Sequence, residues 1–384
     1  MKTKIKSLFV LFLLCLLLMP ISNLLADQIK NQDKPQKGSW DFQMVKEWDV
    51  DEVNGKVFAQ ISSIVSDPSG KLFLVDRKHS KIFVLDDQGK FITSFGSQGE
   101  GPGEIKNMGS CYLVNKKLVF PDRGRMHYFA MDGKYLETKI FPNTAQPRGM
   151  IDENLILSVP YINWNDLKGQ GKFSIYDIPA KKERLLFTFN TFRKGVVRKS
   201  SGKSTSTFSY STSSLTPMME LDYQPATKRL VYGMTDNYLI TVRDLQDVEN
   251  GGTGKEILTF SVDREKQKVP KGFKDKQLET IKEWPDSVKQ QIKDGFPDYL
   301  THFVELHGDE RGFTYVYRNL PNTENIVAMD IVSPKGVYLY EGVIAVDEDL
   351  NILSTHWNGD HLYMVTENED GELILSKYKI KLPQ

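Results

Sequence analysis

Two copies of one sequence pattern stand early in the chain and constrain its fold more than any other feature. The first copy contains LFLVDR at 72–77 and KIFVLD at 81–86, and the second contains LVFPDR at 118–123 and MHYFAMD at 126–132. The Asp-Arg pairs of the two copies are 46 residues apart. A period in the forties is the length of one four-stranded blade of a β-propeller.

The order of residues within the first copy predicts antiparallel strands joined by tight turns. A DPSG turn at 67–70 precedes the apolar run, because proline presets one backbone dihedral and glycine accepts a positive φ. The segment 81–85 then alternates, and a DQGK turn at 87–90 leads into FITSF at 91–95. These features are typical of a sheet whose consecutive strands are neighbours.

The segment FGSQGEGPGE at 95–104 resembles the connector between blades in NHL-repeat propellers. The resemblance covers roughly residues 60–140, and it implies an all-β fold built from four-stranded antiparallel blades. The glycines do not form a phosphate-binding loop, because they lack the G-x-G-x-x-G spacing and no Lys-Ser or Lys-Thr pair follows them.

Weaker strand pairs later in the chain predict four further blades, which makes a six-bladed β-propeller. They lie at 154–159 with 172–177, 229–233 with 238–244, 312–317 with 326–330, and 360–365 with 373–378. Six blades of about 45 residues leave part of the chain over, so insertions are expected.

We predict one propeller domain at 38–382, preceded by a flexible segment at 27–37. A Ser-, Thr- and Lys-rich insertion is expected at about 192–215, as a loop or long hairpin. A small helical insertion is expected near 271–300, where apolar residues have helical spacing. The alternating segment at 40–48 is predicted to add a strand to the last blade and close the ring, which protects sheet edges.

The first 26 residues have the layout of a secretory signal peptide. Lys2, Lys4 and Lys6 precede an apolar run at 8–19, and Ala26 offers a cleavage point. This predicts export to the periplasm or the cell exterior, with a monomer that does not span the membrane after cleavage. An uncleaved N-terminal anchor is the alternative.

The charge balance argues against a nucleic-acid partner. The chain has 50 Lys and Arg and 50 Asp and Glu residues, so it lacks the basic surplus that phosphate backbones attract. After signal cleavage only Cys111 would remain, so an internal disulfide is not expected.

Candidate ligand-binding residues follow the predicted inner strands, whose loops we expect at the mouth of the central channel. They are Asp76, Arg77, Asp122, Arg123, Tyr161, Asn163, Trp164 and Arg318. Because the two aspartates recur at the repeat period, a bracing role between loops is the stronger interpretation for them.

The sequence favours an exported, non-enzymatic recognition scaffold that binds a protein, peptide or glycan on one face. The alternative is a metal-dependent hydrolase or lyase with its site at the central channel, since the resemblance implies that Ca²⁺ or Zn²⁺ enzymes exist on this fold. No catalytic residue is assigned and no cofactor is expected. The six histidines show no tight ligand motif, so metal ligands stay open.

Overall fold

The computed structural model describes residues 26–142, 145–160, 170–191, 196–201, 204–209, 214–321 and 323–384. Five short strands come first: β1 (Asp27–Gln32), β2 (Ser39–Trp40), β3 (Val45–Val50), β4 (Glu52–Val53) and β5 (Lys56–Val57).

Six four-stranded antiparallel sheets, the blades, then follow one another along the chain. Blade 1 has β6 (Ile61–Ser66), β7 (Leu72–Asp76), β8 (Lys81–Leu85) and β9 (Phe91–Phe95). Blade 2 has β10 (Tyr112–Val114), β11 (Lys117–Asp122), β12 (Arg125–Ala130) and β13 (Tyr135–Ile140). Blade 3 has β14 (Ala145–Met150), β15 (Leu155–Pro160), β16 (Gln170–Asp177) and β17 (Lys182–Asn190).

The hairpin strands β18 (Val196–Ser201) and β19 (Ser204–Ser209) separate blade 3 from blade 4. Blade 4 has β20 (Met219–Gln224), β21 (Arg229–Met234), β22 (Leu239–Asp244) and β23 (Lys255–Asp263). Blade 5 has β24 (Phe303–Gly308), β25 (Thr314–Arg318), β26 (Ile326–Val332) and β27 (Tyr338–Ala345). Blade 6 has β28 (Asn351–Asn358), β29 (His361–Glu367) and β30 (Leu373–Lys379). The predicted six-bladed β-propeller is confirmed.

The first strand of each blade is the innermost. Around the central channel, β6 contacts β28 and β10, β10 contacts β14, and β20 contacts β24. The second strands are buried on both faces, because each blade is packed between two others. All five residues of β7 are buried, for example, and Phe73 and Val75 share a core cluster with Phe120 of blade 2. This accounts for the uninterrupted apolar runs in the sequence.

The ring closes through β3, which pairs antiparallel with β30 and completes blade 6 as its outermost strand. The predicted closing strand is therefore confirmed over residues 45–48, whereas Trp40 pairs with blade 5 and residues 41–44 form no strand. A chain segment that precedes blade 1 thus joins the last blade to the first without a covalent bond, and it covers the outer edge of β30.

The segment 27–37, which we predicted to be flexible, is instead bound along the outside of the disc. Strand β1 pairs parallel with β23 of blade 4, and β2 pairs parallel with β27 of blade 5. Asn31 is buried, its side chain donates to the carbonyls of Ser261 and Gly336, and it accepts from the Tyr338 amide. We call residues 27–40 the N-terminal strap. Its polar sequence carries no strand signal, because pairing at an outer edge needs only backbone groups.

The predicted helical insertion lies between blades 4 and 5. It contains α1 (Phe273–Leu278), a 3₁₀ turn (Glu279–Ile281) and α2 (Asp286–Gly295). A second 3₁₀ turn (Val248–Asn250) lies within blade 4. The helices build a small core of their own, in which Val288 and Ile292 pack with Leu215 from the other insertion. Both insertions therefore cover the same face of the disc, where the innermost strands begin.

Within the described part of the chain, no helix combines the length and the apolar character needed to cross a bilayer.

Candidate functional site

The predicted site residue Asp76 braces a loop of its own blade. It is fully buried at the end of β7 and accepts hydrogen bonds from the amides of Ala59 at 2.8 Å and His79 at 3.0 Å. The His79 ring lies 3.0 Å from the same carboxylate. Burial alone would raise the pKa of Asp76, but these hydrogen bonds hold it below its ordinary value.

Asp122 has the same role in blade 2. It accepts from the Lys106 amide and the Asn107 side chain, each at 2.8 Å, and Arg125 lies 3.3 Å away. Burial opposes ionisation here too, and the hydrogen bonds lower the pKa. These contacts support the bracing interpretation of both aspartates. The neighbours Arg77 and Arg123 are exposed, and a ligand role for them stays a prediction.

The remaining predicted site residues are not placed beside Asp76 and Asp122 by the structure. Tyr161, Asn163 and Trp164 lie outside the described residues. Arg318, at the end of β25, contacts Glu341 of β27 and lies 3.9 Å from Asp330 of β26. Its side chain therefore points outward from the channel, and it belongs to a different blade from Asp76 and Asp122.

One assumption behind that set was wrong: the apolar runs at 72–76 and 118–122 are second strands, not innermost ones. The innermost strands are more polar, because they border a channel that water can enter. The sequence of β20 alternates Glu220, Asp222 and Gln224 with apolar residues, and β24 places Glu305 and His307 in the same way. This alternation directly before the apolar runs of blades 4 and 5 was the available signal.

These innermost strands bring together ionisable side chains that sequence reasoning missed. We call Arg148 of β14, Glu220 and Asp222 of β20, and Glu305 and His307 of β24 the channel cluster. His307 Nδ1 lies 3.1 Å from Asp222 Oδ2, and the Gly308 amide donates to the same oxygen at 2.8 Å. Blades 3, 4 and 5 thus contribute to one polar lining.

Two carboxyl groups of the channel cluster have pKa values near neutrality. Enclosure by protein raises the pKa of Glu220 to about 7, with a further contribution from the negative charge of Glu305 and an opposing one from Arg148. Enclosure also raises the pKa of Glu305 to about 7, against the opposing charge of His307 and with a further contribution from the negative charge of Asp222. Both groups can therefore exchange protons at neutral pH.

Stacking on an aromatic side chain holds His307 in place. Its ring stacks on Trp357 with centroids 5.4 Å apart, and Trp357 Nε1 donates to the Tyr317 hydroxyl at 2.5 Å. Nearby, His356 Nε2 lies 2.8 Å from Ser66 Oγ, and burial lowers the pKa of His356 to about 4, so its ring is neutral. The lining is consequently rigid on this side of the channel.

The described residues do not fit a Ca²⁺ or Zn²⁺ centre. In this part of the chain, no group of three or more His, Cys, Asp or Glu side chains is arranged to hold a metal ion. His79 and His127 lie beside Asp76 and Asp122, outside the innermost strands, whereas His307 and His356 lie on the innermost strands β24 and β28. We therefore derive no chemical step through a metal.

The architecture defines a six-bladed β-propeller, and comparisons with known proteins agree. The DUF5128 family model, described as a 6-bladed beta-propeller, matches residues 56–201. A solved structure of a DUF4221 family member from Bacteroides vulgatus is similar, with a TM-score of 0.54 and 12% identity over 89% of this chain and 99% of that chain. A protein of Bacteroides fragilis gives a TM-score of 0.51 and 12% identity, over 92% of this chain and 100% of that chain. No curated protein matches the sequence. The NHL-repeat resemblance stays a prediction.

Proposed function

We propose that this chain is an exported recognition protein that binds a peptide or protein segment in its central channel through a basic group of that ligand. The observation that carries the proposal is the channel cluster, in which three carboxyl groups face one arginine and one histidine. Export is supported by the signal-peptide pattern of residues 1–26.

The electrostatics of the channel cluster favour a cationic ligand group. The negative charges of Glu220 and Glu305 repel each other, and enclosure disfavours ionisation of both carboxyl groups. An ammonium or guanidinium group between them would stabilise the ionised forms and lower both pKa values. Binding should therefore release protons at neutral pH.

The scaffold suits recognition because the side chains that meet the ligand lie on strands rather than on loops. Asp222 is fixed by the Gly308 amide and His307, and His307 by Trp357. A lining that is already ordered loses little conformational entropy when a ligand enters.

Calorimetry with short peptides tests the proposal. We expect a capped tripeptide with a central lysine to bind the mature chain, and the same peptide with norleucine to bind at least about tenfold more weakly. Titrations at pH 7 in two buffers of different ionisation enthalpy should show proton release on binding.

Matched variants locate the binding site. Glu305→Gln should weaken lysine-peptide binding about tenfold and reduce proton release, because it removes one compensating charge. Glu310→Gln, at an exposed turn of the same blade, should change neither quantity. Equal binding of the two peptides, or an unchanged affinity of Glu305→Gln, would contradict the proposal.

Acid–base hydrolysis is a second candidate, favoured by the same two carboxyl groups. A carboxyl with a pKa of about 7 can donate or accept a proton at neutral pH, as hydrolysis requires. Mass spectrometry of the peptide mixtures over time separates the candidates. A product that accumulates with wild-type protein and not with Glu220→Gln would favour the enzyme.

A further inference from the structure

A polar cavity of about 380 Å³ lies between blades 4 and 5, and none of its lining residues belongs to the channel cluster. Three parts of the chain that are distant in sequence form its walls. Asp33 comes from the N-terminal strap, Arg264 and His302 flank the helical insertion, and Arg318 and Glu341 come from blade 5. The volume is within the range of small-molecule sites in proteins.

A buried carboxylate beneath the cavity fixes its shape. Asp330 is fully buried and accepts from the hydroxyls of Tyr238 at 2.5 Å and Tyr338 at 2.8 Å. Arg264 Nη1 donates to it at 2.5 Å, and Arg264 Nε donates to Asp33 at 2.5 Å. This network joins the strap, blade 4 and blade 5.

Arg318 in the wall retains an unused hydrogen-bond donor. Its Nη2 atom donates to Glu341, but its Nε atom is buried and has no acceptor among the described residues. The Asp330 oxygen at 3.9 Å is too distant for a hydrogen bond. Because Nε is shielded from solvent and faces Asp330, a molecule in the cavity would contact Arg318 through the other atoms of its guanidinium group.

The other lining groups restrict what that molecule can be. A cation would meet the guanidinium groups of Arg264 and Arg318, and an anion would meet the carboxylates of Asp33, Glu265 and Glu341. Burial lowers the pKa of His302, aided by Lys266 and Arg264, so its ring adds no positive charge. A hydroxyl group suits both kinds of neighbour, because it accepts from guanidinium and donates to carboxylate.

We infer that this cavity is a second binding site, which takes a neutral, hydroxyl-rich ligand of the saccharide class. The guanidinium of Arg318 donates to one ring oxygen or hydroxyl, and Glu341 and Asp33 accept from others. Because the strap supplies Asp33 and Pro35, the site is complete only when the strap is bound to blades 4 and 5.

Saturation-transfer NMR with the mature chain tests this site. The probes are glucose, galactose, mannose, N-acetylglucosamine and their β-linked disaccharides, with glucuronic acid as the anionic counterpart. We expect at least one neutral sugar to bind, and glucuronic acid to bind more weakly than glucose. Failure of every neutral sugar, or preferential binding of glucuronic acid, overturns the proposal.

Variants connect that binding to the cavity. Arg318→Lys keeps the positive charge but removes the planar guanidinium group with its several donors, and it should weaken sugar binding about tenfold; Glu341→Gln should weaken it several-fold. Glu348→Gln, an exposed residue beyond β27, is the matched control and should bind as wild type does. Sugar binding that survives both cavity variants would place the sugar elsewhere and refute the assignment.

The proposals for the channel site and the cavity site can be refuted independently of each other. Arg318→Lys should leave lysine-peptide binding in the channel unchanged, and Glu305→Gln should leave sugar binding unchanged. Loss of both activities in Arg318→Lys, together with an altered circular dichroism spectrum, would indicate a folding defect, and Glu341→Gln then decides the assignment.

Discussion

Blades 1 and 2 differ from blades 4 and 5 at one equivalent position, the end of the second strand. Strand pairing places Asp76 opposite Ile61, Met234 opposite Met219 and Arg318 opposite Phe303. In blades 1 and 2 this position holds an aspartate that braces the loop before the innermost strand.

In blades 4 and 5 the next residue takes over the bracing. Thr235 Oγ1 accepts from the Met218 amide at 3.0 Å in blade 4. In blade 5, the Asn319 side chain donates to Ser214 O and to Thr301 Oγ1, each at 2.8 Å. The residue at the end of the second strand then has no bracing role, and in blade 5 that residue is Arg318 of the cavity.

The comparison shows where specialised chemistry arises in this ring. Blades 1 and 2 keep the repeat and are braced by nearby residues of their own blades. Blades 4 and 5 have lost the repeat pattern, and the strap and the insertions supply their additional contacts. Both candidate sites therefore lie at blades 4 and 5, and blade 3 adds Arg148 to the channel cluster.

The largest expected effect comes from removing the buried carboxylate of blade 5. Asp330→Ala should lower the free energy of unfolding by about 3–5 kcal/mol, because it leaves Arg264 and two tyrosine hydroxyls without their shared acceptor. Urea denaturation measures this change. Asp347→Ala, exposed in the same blade, is the control and should cost less than about 0.5 kcal/mol. A similar loss in both variants would mean that the network adds no specific stability.

The two kinds of brace should differ in strength. Asp76→Ala should cost about 3 kcal/mol, because it removes a charged acceptor with several buried partners; Thr235→Ala should cost about 1 kcal/mol, because it removes one neutral hydrogen bond. Asp370→Ala, in an exposed turn, is the control. Equal losses at the two positions would show that the bracing is of the same kind in both regions.

The smallest expected effect is on the pH dependence of stability, where the two regions have opposite signs. The pKa of Glu220 is raised to about 7, so the folded state binds more protons than the unfolded state between about pH 4.5 and 7. Stability from this group is therefore lost as pH rises through that window. The pKa of Asp76 is lowered, so its contribution is present above its unfolded pKa and is lost on acidification.

Urea denaturation from about pH 2.5 to 8 measures this difference. Glu220→Gln should flatten the decline of stability toward pH 7, since the variant has no carboxyl to ionise. Asp76→Asn should leave that decline as it is in the wild type and should reduce the loss below pH 4. If Glu220→Gln follows the wild-type curve, the channel does not disfavour ionisation of Glu220.

Much of the scaffold could be predicted from particular residues. The repeated LFLVDR and LVFPDR segments predicted buried strands, and the alternation at 40–48 predicted the closing strand. Both signals are local, because a strand buried on two faces must be apolar and alternation of polar and apolar residues is typical of a strand with one exposed face. The helical insertion was also visible from its apolar spacing.

The candidate sites could not be predicted in the same way. The channel cluster joins Arg148, Glu220 and Glu305, which lie on three blades and share no sequence motif. The cavity joins Asp33 with Arg318, and the strap pairing that brings them together uses backbone groups of polar residues.

The amino-acid sequence by itself determined the strand pattern, the blade period and the closure of the ring, because burial of each strand depends on its own residues and immediate neighbours. Only the tertiary structure decided which charged residues meet. Ring closure sets the distances between blades, and those distances determine which carboxylates and guanidinium groups are enclosed together.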